Sequence, residues 1–178
     1  MTMKIDRDDA RHLLPTDAVS VGILTVTAMA PLPRAAILRT LMQIGAPTWR
    51  PSGDVVTGAI DTLRDDGLLA PLAESEALAP TPWGRAVLPD LLYALPLSGA
   101  APEIGYKLKV MALDVLEAGA REKQLAALLD HWREVAALWE DAGRRCPCPQ
   151  PSVRGWMKHN LDLARSEIAW LTAGRSSI

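Results

Sequence analysis

Phenylalanine is absent from this chain of 178 residues, and cysteine occurs only twice. Both cysteines fall in Cys146-Pro-Cys148-Pro. One intervening residue is poor spacing for a metal ligand pair, and no other cysteine exists to complete a set. The stretch is expected to form a turn in a reducing compartment, with a redox or metal role as the alternative. His12, His131 and His159 lie far apart and read as surface or packing residues. Glycine-rich phosphate loops, metal-ligand clusters and nucleophile motifs are missing, so neither an enzyme nor a cofactor is expected. No apolar run approaches the roughly 18 residues of a membrane span. The opening stretch MTMKIDRDDARHLL has no apolar segment of the signal-peptide kind. A soluble, cytoplasmic protein without a membrane partner is the expectation. A basic tail is also missing. The formal net charge is −2, so there is no global positive field to draw the chain onto nucleic acid.

What is present is 49% hydrophobic residues, enough for a buried core, divided by glycine and proline into distinct segments. Thr16 or Asp17 can cap a first helix in PTDAVSVGILTVTAMAPLP, which Pro31 and Pro33 stop. Ile37, Leu38, Leu41 and Met42 form the apolar stripe of a second helix, and Gly45 is its natural stop. After the turn APTWRPSG, Ser52 or Asp54 can cap a third. On it Val55, Val56, Ala59, Ile60 and Leu63 fall on one face. Gly67 ends that helix. LLAPLAESEALAP then reads as a small β-hairpin. Thr81 caps a further helix with Pro82 at its first position. The order helix, helix, helix, hairpin, helix over residues 15–95 is that of a winged helix-turn-helix. In that arrangement two helices support a third, whose outer face can enter a groove about 12 Å wide. Pro96–Pro102 (PLSGAAP) reads as a boundary. Three helical segments follow, and their apolar stripes need a partner surface, part of it expected from a second subunit.

Three stretches carry a family resemblance. VVTGAIDTLRDDGLLA is similar to the third helix and first wing strand of PadR-like transcriptional regulators. ALAPTPWGRAVL resembles their second wing strand and the Thr-x-x-Gly-Arg start of the next helix. YKLKVMALDVLEAGAREKQLAAL and RSEIAWLTA resemble the C-terminal helices of the longer family form. Pro33-Arg34 and Val56-Thr57 depart from the pattern. The resemblance implies a mainly α protein: a winged helix-turn-helix, with three helices plus a small β-hairpin wing, over residues 1–95. An α-helical dimerisation domain, also a candidate effector domain, would follow over residues 103–178. It implies a homodimeric regulator that binds double-stranded DNA, a repressor, commonly answering to a small aromatic effector.

The charge of the third helix complicates this expectation. Asp54, Thr57, Gly58, Asp61, Arg64 and Asp65 point outward, three acids against one base. Between Asp65 and Gly84 there is no Lys or Arg, and the wing adds Glu74 and Glu76. Residues 1–95 hold eight Lys or Arg against eleven Asp or Glu, a net of −3, and the remainder is +1. A DNA-binding surface must therefore be local. Arg34, Arg39, Arg50, Ser52, Thr57, Arg64 and Arg85 are the candidate DNA-binding residues, with Thr57 and Arg64 facing bases and Arg50 and Arg85 facing phosphate. Lys4, Arg7 and Arg11 could add an N-terminal arm. Asp61 and Arg64, three residues apart, also read as ordinary paired surface charges.

Four of the six tryptophans, Trp132, Trp139, Trp156 and Trp170, lie in the C-terminal half. Large flat side chains suit a dimer core, and they equally suit a pocket for an apolar or aromatic effector. The rival to a DNA-binding regulator is a protein-binding winged-helix adaptor or antirepressor whose acidic face meets a basic partner.

Overall fold

The computed structural model describes residues 17–45, 47–73, 75–97, 102–147 and 150–177. Thr16, His12, Lys4, Arg7, Arg11, Glu74 and Cys148 lie outside them. Two compact units divide between Glu117 and Ala118, whereas the sequence suggested a boundary at Pro96–Pro102.

The first unit is organised around α1 (Ala18–Met29). Asp17 caps it, its carboxylate accepting from the Val19 and Ser20 backbone N–H groups at 2.9 and 2.8 Å. Every residue from Ser20 to Thr27 is buried, so this helix is apolar all round rather than amphipathic. It packs against α2 (Arg34–Gly45), α3 (Gly53–Asp65), α4 (Pro82–Ala94), α5 (Pro102–Ala112) and the wing strand β2 (Leu78–Pro80). The buried threonine hydroxyls are satisfied within the helix, Thr25 donating to the Val21 carbonyl at 2.8 Å and Thr27 to that of Ile23 at 2.6 Å. Buried polar groups need such partners. Gly22 brings α1 close to Leu41 and Leu108, since a Cβ there would stand 2.9 Å from the Leu41 side chain.

The turn from α2 to α3 is set by Gly45. A Cβ at Gly45 would meet the Trp49 ring at 2.5 Å, and the Trp49 N–H donates to the Gly45 carbonyl at 2.8 Å. The indole thus lies over the end of α2 and closes the turn. Ser52 is the N-cap of α3, accepting from the Val55 N–H. At the other end Gly67 takes φ 69°, the left-handed conformation a helix C-terminus commonly needs. The Leu68 N–H then reaches back to the Leu63 carbonyl at 2.8 Å. Val56, Ile60 and Leu63 are buried as their spacing predicts, but Val55 is 53% exposed. It was expected in the core; it sits in the first turn, beside the cap, where no element covers it.

Strand β1 (Leu69–Pro71) pairs antiparallel with β2, Leu69 opposite Pro80 and Pro71 opposite Leu78. Leu32 adds a bridge to Leu78, with N–H to carbonyl distances of 3.1 and 2.8 Å. Pro31 and Pro33 flank Leu32 and cannot donate, so this third strand is one residue long and leaves no periodic signal. The chain is mainly helical, a winged helix-turn-helix followed by a helical unit, the fold class expected from the sequence.

Lys109 on α5 is 2% exposed. Its ammonium donates to the Tyr93 carbonyl at 3.2 Å and lies 5.8 Å from the Tyr93 ring centroid. Burial pushes its pKa down to about 8, because desolvation disfavours the charged form. Between pH 8 and the ordinary lysine value the unfolded chain holds more proton, so stability rises with pH across that window; below it the folded state carries the full cost. Lys109→Met is expected to raise stability at pH 7 by about 1–3 kcal/mol, seen as a melting temperature several degrees higher, and the gain should shrink by pH 10. A lower melting temperature at pH 7 would mean that the bond to Tyr93 outweighs the desolvation.

The second unit is a helical hairpin of α6 (Ala118–Arg145) and α7 (Pro151–Ser177). Leu125, Leu128, Leu129 and Ala136 of α6 are buried, as are Ala164 and Leu171 of α7. Trp139 and Trp156 meet edge to face, with ring centroids 4.8 Å apart. Arg165 reaches from α7 to Glu140 of α6 at 2.7 Å. In the connecting turn Cys146 is disulfide-bonded.

Candidate nucleic-acid interface

The candidate surface is the outer face of α3 with the helices beside it. Ser52, Thr57, Arg64, Arg39, Arg50 and Arg85 are all exposed, and Arg34 is half-buried. Packing of Val56, Ile60 and Leu63 inward leaves Thr57, Gly58, Asp61, Arg64 and Asp65 outward, because positions three and four apart share a helix face. Ser52 also caps α3, so its hydroxyl is engaged with the helix backbone.

The arrangement that the sequence did not reveal is centred on Asp61. Its carboxylate is hydrogen-bonded and ion-paired with Arg34 at the start of α2, and it lies 3.9 Å from the Arg64 guanidinium. The Arg34 bond holds the Asp61 carboxyl below the usual carboxylate range, and the charge of Arg64 acts in the same direction. The sequence offers the local pair, Asp61 with Arg64. It gives no sign that Arg34, twenty-seven positions away, completes a trio. One acid therefore neutralises part of two candidate DNA-binding cations while holding them on the same patch. All three side chains remain partly exposed, so the pairs are open to exchange with an external anion.

Arg39, Arg50 and Arg85 have no ion-pair partner among the described residues. Arg85 sits in the first turn of α4. That helix start is fixed by Thr81, which accepts from the Gly84 N–H at 3.0 Å and donates to the Gly67 carbonyl at 2.7 Å. The end of α3 and the start of α4 are thereby tied together. The wing tip from Leu72 to Ala77 is closed by the Leu72 N–H to the Ala77 carbonyl at 2.9 Å. Its Leu72 and Glu76 are exposed, so the wing offers an apolar and acidic edge and no cation.

The four tryptophans do not form one group. Trp132 and Trp139 on α6 are half-buried, whereas Trp156 and Trp170 on α7 are 56% and 54% exposed. Trp139 and Trp156 touch; Trp170 lies two heptads beyond Trp156 on the same face of α7. Among the described residues no group of side chains could hold a metal ion, and no helix is long and apolar enough to cross a membrane.

No family model matches the chain, and no curated protein matches it. Among solved structures the chain is similar to the Vibrio cholerae virulence activator AphA, with 20% identity, a TM-score of 0.40, and coverage of 87% of this chain and 94% of that one.

Proposed function

We propose that this protein is a DNA-binding transcriptional regulator that acts as a homodimer. The observation that carries the reading is a capped, amphipathic α3 whose outer face carries Thr57 and Arg64, with Arg34 joined to that face through Asp61. Helix α2 stands next to it and a wing follows it. In such a layout α3 enters the major groove, Thr57 and Arg64 meet base edges, and Arg34, Arg39, Arg50 and Arg85 meet phosphates. Ser52 lies at the N-terminus of α3, where backbone N–H groups also favour phosphate. The PadR-like stretches support the same role and add repression, with dimerisation through residues 103–178. The exposed heptad series Trp156, Leu163 and Trp170 supports a partner surface on α7. A small aromatic or apolar effector would act by favouring one dimer spacing over another.

About five phosphate contacts per subunit would make binding fall steeply with salt, whereas two would leave it weak and easily screened. Arg64→Ala is expected to relax sequence preference, because it removes a base contact worth about 1–3 kcal/mol. Arg50→Ala should weaken all duplexes alike and flatten the salt slope by roughly one per subunit. Fluorescence anisotropy on matched and scrambled duplexes separates the two. Equal effects of both variants on every sequence would remove these role assignments.

The second reading is a protein-binding adaptor. It is favoured by the exposed acids Asp54, Asp65, Asp66 and Glu76 around α3 and the wing. Both modes are electrostatic, so salt does not separate them. Competition does: unrelated duplex DNA displaces a DNA ligand, and it leaves an adaptor's basic protein partner bound.

A further inference from the structure

The outer face of α3 has two unlike flanks. One carries Thr57, Asp61 and Arg64, and there Arg34 is held through Asp61. The other carries Val55, Gly58 and Thr62, all exposed and all uncharged, since positions three and seven apart share a helix face. We infer that Val55 reads the 5-methyl group of a thymine in the major groove and so fixes one base of the site this protein prefers. This role rests on the α3 face binding duplex DNA, as proposed above, and names a base that one of its side chains selects.

The Val55 side chain is 53% exposed, while Val56, Ile60 and Leu63 of the same helix are buried. A lone exposed valine on most surfaces needs no explanation. This one lies in the first turn of α3, and the N-terminal residues of such a helix are the ones that meet base edges. Its position is also well held. The Val55 N–H donates to the Ser52 side chain at 3.4 Å, and a β-branched side chain keeps one strongly preferred rotamer in a helix. The two methyl groups therefore point in a fixed direction. Nothing screens them from Gly58, one turn on, where an added Cβ would meet nothing within 4 Å.

The chemistry around Val55 narrows the choice of base. From Gly53 to Leu63 the helix has no Lys or Arg, so this part of α3 lacks the bidentate cation that guanine O6 and N7 take. Asp54 and Asp61 can only accept, which suits the amino groups of cytosine and adenine and offers nothing to the thymine O4 acceptor. The feature of thymine that this end of the helix can recognise is its methyl group, and an exposed aliphatic side chain is the partner that buries it.

The test begins with selection of duplexes from a random-sequence pool by the full chain. Each thymine of the selected duplex is then replaced in turn by deoxyuridine, which removes the methyl group and keeps the base pairing. Fluorescence anisotropy is expected to show one thymine in each half-site at which this replacement weakens wild-type binding about three- to fivefold, the worth of one methyl group kept from water. In Val55→Ala the same replacement should cost less than about twofold, because the partner methyl groups are gone. Alanine is the better helix former and Val55 covers no core, so circular dichroism should show the fold retained. A selected site without such a thymine would overturn the role of Val55 and leave DNA binding by α3 standing. An equal deoxyuridine loss in wild type and Val55→Ala would do the same. A pool from which no sequence is enriched would overturn both.

Discussion

Replacing Asp61 by asparagine is expected to raise affinity for duplex DNA of unrelated sequence about 5–20-fold at low salt. The salt dependence should steepen by roughly one to two per subunit. Asp61 carries the one carboxylate shared by Arg34 and Arg64. In the free protein it occupies the guanidinium groups that would otherwise meet phosphate. Asparagine keeps the shape and removes the charge, so both arginines become available to the backbone of any duplex. The same change should narrow the gap between matched and scrambled sequences. Arg64 would lose the partner that orients it, and the gain in backbone contact is blind to sequence. Weaker binding to every duplex, from a variant with unchanged melting temperature, would show that Asp61 itself contributes to the complex instead of competing with it.

Gly84→Ala is expected to cost about 2–4 kcal/mol of stability. A Cβ at Gly84 would stand 2.1 Å from the Leu68 carbonyl oxygen. That oxygen belongs to the backbone and is held by the Thr81 N–H at 3.0 Å, so it cannot turn aside. Helix α4 would have to withdraw from the junction of α3 and β1, loosening the wing and the buried contacts of Leu68 and Val87. Gly58 provides the control. A Cβ there meets nothing within 4 Å, and Gly58→Ala should stabilise α3 by about 0.5–1 kcal/mol. Chemical denaturation of the two variants beside the wild type reads both effects. Equal midpoints for Gly84→Ala and wild type would mean that the junction yields more readily than its hydrogen bonds imply.

The Gly84 contact also gives a physical reason for the Thr-x-x-Gly spacing from Thr81 to Gly84. Threonine caps the helix and glycine admits the neighbouring carbonyl. Features of this kind are legible in a sequence because they are local. Proline at the start of α4, the left-handed Gly67 and the spacing of Val56, Ile60 and Leu63 each constrain a few consecutive residues. What escaped depends on distant pairing. Helix α5 is amphipathic in the sequence like the helices after it, and only the fit of Leu108 near Gly22 reveals that it packs with α1. The Arg34–Asp61 pair joins two helices whose relative rotation no periodicity encodes. Leu32 pairs with Leu78 as one residue between two prolines, too short for alternation to register. The tryptophans split for a related reason. Heptad spacing puts residues on one face, but which neighbour covers that face decides whether Trp156 and Trp170 are core or surface.

The same limit applies to the charge of the candidate site. Counting acids and bases along α3 gives an acidic helix. The geometry adds Arg34 from α2 to that face and spends Asp61 on internal pairing. The local balance is therefore less acidic than the segment's composition.

The central claim is that the α3 face binds duplex DNA. Its most direct test is fluorescence anisotropy of the full chain with the duplex upstream of its own coding sequence and with a scrambled duplex, each at two salt concentrations. The account predicts tight binding to the first, weaker binding to the second, and a loss of affinity for both as salt rises. A folded protein that binds neither duplex at low salt would contradict it and would turn the acidic face of α3 and the wing into the surface to pursue.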